Sequence, residues 1–401
     1  MPRFTLSLSK WFRENVRVKF PCVTRLPAIL EQMKRIITTL LIVLSTISIN
    51  AQDLNLELKT LTEQNQYKKI VDEYSKNYEN LSAKSLYYIG QAFYMLENDD
   101  ECLKFIDLSI KKDNQDPAPF FIKASTLNYM GKYDEAIRNF QEAIKLNPND
   151  VKSLSGLGDS YNQQENFLKA AESYLQATKL PNCPERTFYM LGQVYSDLKD
   201  SEKALEAFYQ AKKNLNPKSE YYVNSLFNIG LLESLKKNYA KAEPIFEEII
   251  KIAPNDYHSY SKLIQIHYHN KNYEKAEPLK EVLYDAHKQG KLKGTNLEDM
   301  FCVDQFEWKN NTVLVFERYE NENKGKIYNK HLFYVNDKNE NTLLRVQTEF
   351  SPISVELNGP KYLLCANQGS AHFNSGIGFN EGYKYEDVKE ATIKLFEKYL
   401  K

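Results

Sequence analysis

Between residues 83 and 289 the apolar and polar positions recur with a helical period, and that pattern is itself repeated. A small residue is followed twelve positions later by another: Gly90 by Cys102, Ala124 by Ala136, Gly158 by Ala170, Gly192 by Ala204 and Gly230 by Ala242. A sixth copy carries Ile264 and Ala276, and the copies start near residues 83, 117, 151, 185, 223 and 257, at spacings of 34, 34, 34, 38 and 34. A degenerate leading copy over residues 52–82 is marked by Tyr67, Ile70 and Tyr74. A period of this length predicts stacked helix pairs, because no single pair can bury its own apolar face. Gly or Ala at the crossing lets two helices approach, and aromatic rings fill the holes between neighbours. Pro148, Pro217 and Pro254 cannot continue a helix and so fix the turn into the next copy. In the last copy Lys280 stands where the second helix should carry an aromatic. Its outer face is therefore expected to meet something other than another repeat.

Near Gly290 the period shortens to that of β-strands, broken by turn residues. Candidate strands are Phe301–Trp308, Thr312–Tyr319, Ile327–Val335, Thr342–Phe350, Ile353–Leu357, Lys361–Ala366 and Ala371–Phe379. Short connections favour antiparallel neighbours, hence a meander or a small barrel. A final helix from about Tyr385 to Leu400 places Val388, Ala391, Leu395 and Tyr399 on one face, predicted to cover the sheet. Its early Glu386 and Asp387 and late Lys394 and Lys398 suit the helix dipole.

The repeated positions resemble the tetratricopeptide repeat over residues 52–289. One copy reads Leu154, Leu157, Gly158, Tyr161, Phe167, Ala170, Tyr174 and Ala177, and the next Leu191, Gly192, Tyr195, Ala204, Phe208, Ala211 and Pro217. The fold implied is an α-solenoid, a superhelix of helix-turn-helix repeats, followed by a small α+β domain with an antiparallel sheet and a C-terminal helix. The resemblance implies a concave groove lined by the first helix of each unit. In this chain those positions are Lys84, Tyr87, Gln91 and Tyr94, then Phe121 and Asn128, then Lys152, Asp159 and Asn162. They continue with Arg186, Tyr189 and Gln193, then Asn224 and Phe227, and finally His258, Gln265 and Tyr268. Aromatic anchors beside amides and hydroxyls suit a protein or peptide partner. The Lys and Asn pair with which this family grips a C-terminal carboxylate is replaced here by aromatic, Ser and Gln residues, which argues against that mode.

The surplus of 28 Tyr and 21 Phe fits the ring-filled repeat. Acids and bases balance at 53 each, but residues 1–51 hold eight bases and two acids, so the remainder carries a net −6. An acidic body has no electrostatic footprint for nucleic acid. Met33-Lys34-Arg35, the apolar run Ile36–Ile49 and the ending Ile49-Asn50-Ala51 have the layout of a secretory signal over 33–51, too short to span a bilayer. The run into Ala51-Gln52 resembles secretory signals of Bacteroidetes. The residue directly after Ala51 is Gln52 and not Cys, so no lipid anchor is expected, and membrane contact is expected only at the signal stage. Residues 1–32, basic and interrupted by Pro2, Pro21 and Pro27, read as a disordered upstream extension, with translation expected to start at Met33.

Chemistry-bearing motifs are sparse. His267 and His269 lie two apart on a predicted helix and point to different sides, so they cannot chelate one metal together. His372 sits near Ser370 and Ser375, but no acid stands at a recognisable spacing and no nucleophile elbow is present. Gly376-Ile377-Gly378 lacks the third glycine and the helix of a phosphate loop. Cys302 and Cys365 fall in different predicted strands, a possible disulfide if those strands adjoin. No metal, cofactor or catalytic residue is expected. The expectation is an exported, soluble interaction scaffold and not an enzyme. The alternative is an enzyme with its active site in the β-rich domain of residues 290–401 and the repeats as a docking arm.

Overall fold

In the computed structural model the described residues are 54–319, 330–356, 359–380 and 382–400. The expected signal at 33–51 and the extension at 1–32 lie outside them. The described chain forms two compact units, one ending at Gly156 and the other beginning at Leu157.

In the first unit the helices come in antiparallel pairs. They are α1 (residues 54–63), α2 (Tyr67–Tyr74), α3 (Ala83–Met95), α4 (Asp99–Lys112), α5 (Pro117–Tyr129), α6 (Tyr133–Leu146) and the start of α7 (Val151–Gln163). The second unit holds the rest of α7, then α8 (Phe167–Ala177), α9 (Glu185–Asp197), α10 (Ser201–Asn214), α11 (Glu220–Leu235), α12 (Tyr239–Ile252), α13 (Tyr257–His269) and α14 (Tyr273–Lys288).

One turn joins the members of every pair. Asn65, Glu97, Gly131, Glu165, Lys199, Lys237 and Lys271 all adopt positive φ, and from Glu97 onward they keep the spacing of the repeat. The amide after each reaches back five residues, as Asn98 N to the Phe93 carbonyl at 3.0 Å and Asp200 N to the Tyr195 carbonyl at 3.0 Å. This closure satisfies carbonyls that the helix end leaves unpaired. Gln66 N bonds the Leu61 carbonyl at 2.8 Å in the same way, which makes α1 and α2 a true leading pair.

The small residues act where expected. Cys102, Ala136, Ala170, Ala204, Ala242 and Ala276 are all fully buried. A Cβ on Gly158 would stand 2.6 Å from Tyr174, on Gly192 2.5 Å from Phe208, and on Gly230 2.6 Å from Phe246. The rings of the second helices therefore press directly on the first helices, and only a missing side chain admits them.

After α14 comes a six-stranded antiparallel meander in the order β1-β2-β3-β4-β5-β6. Its strands are β1 (Met300–Trp308), β2 (Asn311–Arg318), β3 (His331–Asn336), β4 (Thr342–Phe350), β5 (Tyr362–Gln368) and β6 (Ala371–Phe379). The expected strand Ile353–Leu357 is instead a one-turn helix, α15 (Pro352–Glu356). The Ser351 side chain accepts from the Ser354 amide at 3.3 Å and its carbonyl from the Val355 amide at 3.2 Å, closing a turn that the β-branched residues alone would not select. The last helix, α16 (Tyr385–Tyr399), covers one face of the sheet: Val388, Leu395 and Phe396 are buried there, with Phe396 against Trp308 and Tyr385 stacked on Phe333.

Although helices stop at Lys288 and strands begin at Met300, a single core crosses that change. Tyr260, Ile264, Tyr268, Leu283 and Ala286 of α13 and α14 join Phe301, Val303, Val315, Phe333 and Val346 of the sheet. Lys280 sits at this junction, buried, with its ammonium 3.1 Å from the fully buried carboxylate of Glu317 on β2. The departure from an aromatic at 280 thus marks the place where the sheet follows the last repeat.

Candidate peptide-binding face

The first helices of the second unit carry an outward row of side chains linked across α7, α9 and α11. Asp159 on α7 receives both a hydrogen bond from the buried Tyr174 hydroxyl at 2.5 Å and the guanidinium of Arg186 on α9, at 2.6 and 2.7 Å to its two oxygens. Burial, and then the charge of Asp159, push the Tyr174 phenol far above its ordinary pKa, so it remains a neutral donor. Both contacts come from one nitrogen, Nη1, whose charge-assisted bonds hold the head of the side chain against Asp159.

One helical turn on, the Tyr189 ring lies 6.0 Å from Phe208 beneath it and 5.8 Å from Tyr221 of α11 beside it. Gln193, a turn further, donates its side-chain amide to the Tyr189 hydroxyl. On α11, Phe227 meets Phe246 edge-on at 5.9 Å, while Asn224 is exposed. Asn162 is half-buried at the end of α7. These rings are each held by a buried neighbour and still present one side outward, the arrangement of a rigid anchor.

Tyr221 was not visible among the repeat positions. It lies at the end of the longer copy of 38 residues, where α11 begins early and so runs for 16 residues instead of the usual 13. The added turn at its N-terminus, capped by the Ser219 side chain, sets Tyr221 beside Tyr189. The lengthened spacing was the available signal.

At the end of the stack the face changes. His258 and Gln265 on α13 are half-buried, Gln265 donating to the Ser261 hydroxyl at 3.4 Å. Ser261 is buried and donates to the Cys302 carbonyl of β1, also at 3.4 Å. Tyr268, expected to line the groove, is buried between Tyr273 and Tyr385, at ring distances of 5.1 and 5.0 Å. It does not line an open surface, because the C-terminal module occupies its side of α13.

In the first unit, Lys84 bonds Asp116 at 2.9 Å and lies 4.7 Å over the Tyr87 ring. Burial and then the Asp116 charge push the Tyr87 phenol up to about 12. Gln91 and Tyr94 follow on the same helix, half-buried. Phe121 packs at 6.1 Å on Phe140, and Asn128 and Lys152 keep surface of their own.

The junction beneath Tyr268 is a buried polar network. Glu317 takes Tyr284 as a donor and faces Lys280 at 3.1 Å and His331 Nε2 at 3.5 Å. Burial alone would raise the Glu317 carboxyl, but His331 and the Lys280 charge outweigh it and hold it well below the usual range. His331 itself is lowered by burial despite Glu317. A neutral ring with its proton on Nε2 meets both demands, since Nδ1 then accepts from the Tyr383 hydroxyl at 3.1 Å. On β1, Asp304 receives Tyr385 and Lys389, each at 2.7 Å, and so pins α16 to the sheet. These groups are enclosed, and their geometry serves cohesion.

The possible Cys302–Cys365 pairing is not formed: both are free thiols. They lie on β1 and β5, with β2, β3 and β4 between them. Strand spacing of about 4.8 Å across four steps far exceeds the reach of roughly 7 Å between bonded Cα atoms. No helix among the described residues is long and apolar enough to cross a membrane.

Residues 125–165 match the family described as TPR repeat, and residues 185–255 the family described as Tetratricopeptide repeat. No curated protein matches the chain. Among solved structures, the C-terminal part of a TPR repeat-containing protein from Cytophaga hutchinsonii shares 20% identity at a TM-score of 0.47, over 61% of this chain and 97% of that one. YrrB, described as a TPR protein with an unusual peptide-binding site, shares 20% at 0.40, over 47% and 94%. MamA from Desulfovibrio magneticus shares 21% at 0.38, over 43% and 96%. With the repeated turn, the small crossing residues and the two matched stretches in place, the helices of residues 54–288 are a tetratricopeptide-repeat solenoid, followed by an antiparallel six-stranded sheet and a C-terminal helix.

Proposed function

We propose that the protein is an exported scaffold that binds a protein or peptide segment along the first helices of its repeats, with Arg186, Tyr189, Gln193, Tyr221 and Phe227 as the principal contacts. The observation that carries this reading is the linked row from Asp159 through Arg186 and Tyr189 to Tyr221, which joins three successive first helices. A guanidinium held by Asp159 offers its remaining donors to a backbone carbonyl or an acidic side chain. Tyr189 and Phe227 supply anchors at low entropic cost, because their rings are already held. His258 and Gln265 continue the row toward the sheet, where it ends against Tyr268. In the first unit Lys84, Tyr87, Gln91, Tyr94, Phe121, Asn128 and Lys152 occupy the corresponding positions.

Panning a displayed library of random peptides on residues 52–401 tests this. Selected peptides should lose binding by about 1–2 kcal/mol or more in Tyr189→Ala and Phe227→Ala, as expected of hot-spot aromatics. They should keep it in Tyr209→Ala, which removes an exposed ring from a second helix. Equal binding to all three variants would overturn the assignment of the face. Export is supported by the layout of residues 33–51, and predicts a mature N-terminus at Gln52 by mass spectrometry.

A further inference from the structure

The open face of the sheet brings together three side chains of different chemistry. Glu349 on β4, Cys365 on β5 and His372 on β6 point to the same side, and one ligand-capable atom from each lies within 4.8 Å of the others. The register explains the meeting. Cys365 pairs with Gln347, two residues before Glu349, and His372 pairs with Asn367, two residues after Cys365. Each step of two along a strand keeps the same face. We propose that Glu349, Cys365 and His372 form a binding site for a divalent transition cation of the zinc type.

Supporting contacts orient each ligand. Asn367 Oδ1 lies 2.7 Å from His372 Nδ1, which places the ring proton there and leaves the Nε2 lone pair for a metal. That Nε2 stands 3.7 Å from Glu349 Oε2. Zinc bonds of about 2.0–2.2 Å to nitrogen and oxygen set a tetrahedral separation of about 3.3–3.5 Å, so this pair need close by only a few tenths of an ångström. Gln347 holds the other carboxylate oxygen by its side-chain amide, which steers Oε2 inward. Cys365 is buried beneath, while half of the His372 side chain is exposed, so a fourth position opens to water.

Charge also selects the cation. Without it a lone pair, a carboxylate and a sulfur face one another. A divalent ion displaces the thiol proton to solvent, and thiolate, carboxylate and neutral imidazole then balance its charge. A sulfur and a nitrogen among the ligands exclude calcium and magnesium, which take oxygen.

The test titrates Zn2+ or Co2+ into the reduced chain, residues 52–401. The expected result is one equivalent bound, a thiolate-to-cobalt charge-transfer band, and an affinity that rises about tenfold per pH unit near neutrality as one proton is released. Cys365→Ser should abolish the band, and His372→Ala should weaken binding by at least about a hundredfold. Asn367→Ala should cost about ten- to a hundredfold through the orientation of His372. Cys183→Ser, at a thiol in the loop after α8, should change nothing. An unaltered circular dichroism spectrum shows that each variant is folded. No cobalt band, a band that survives Cys365→Ser, or one lost in Cys183→Ser would each overturn the site.

Discussion

At the scale of single residues, the repeat is built on absences. Gly192 exists because the ring of Phe208 fills the space a Cβ would take, at 2.5 Å. Gly192→Ala should overpack that crossing and lower stability by about 1–3 kcal/mol, read from the denaturant midpoint. Lys199 shows the opposite economy: it holds φ +59 in the turn between α9 and α10, where a side chain is strained. Lys199→Gly should raise stability by about 0.5–1 kcal/mol in the same measurement, provided the turn keeps its closure from Asp200 to Tyr195. Gly131, at the same repeat position, already has the residue the turn favours.

At the scale of elements, the contact of α14 with the sheet rests on a buried charge pair. Removing one partner strands the other. Lys280→Met should therefore cost about 3–5 kcal/mol, and adding Glu317→Gln should recover part of the loss. The same network makes stability depend on pH. Glu317 and His331 both have folded values below their unfolded ones, so the unfolded chain binds more protons on acidification. The contribution of His331 is complete above about pH 6.5 and fades as pH falls toward its lowered value. That of Glu317 is complete above about pH 4.3 and fades further down. Midpoints measured from pH 8 to pH 4 should fall with acid, and His331→Gln should remove the upper part of that fall. Most of these elements were legible in the sequence. The interval between small residues located the helix pairs, and Lys280 flagged the end of the stack. Alternation over Thr342–Phe350 and Ala371–Phe379 located strands. Ile353–Leu357 misled because β-branched residues signal strand by propensity, whereas a serine cap and local backbone bonds decided the turn.

At the scale of the whole molecule, the candidate site was legible only as far as the repeat is regular. The resemblance to the repeat family, carried on that register, implied an outward face for Arg186, Tyr189 and Phe227. It could not show that Arg186 is locked by Asp159, since that pair spans 27 residues, nor that a longer α11 brings in Tyr221. It misjudged Tyr268, because the pattern of a repeat carries no trace of the sheet that packs on the last one. The sequence left a Cys302–Cys365 bond open because strand order, which separates them, is a tertiary fact. The central claim is that the partner lies along the first helices and not on the outer helices or the sheet. A photo-crosslinking residue placed in turn at Gln193, Phe227, Tyr209 and Phe316, with a peptide selected on the intact protein, tests it most directly. Crosslinks at 193 and 227 with none at 209 or 316 are the predicted result, whereas crosslinks confined to 209 or 316 would contradict the account.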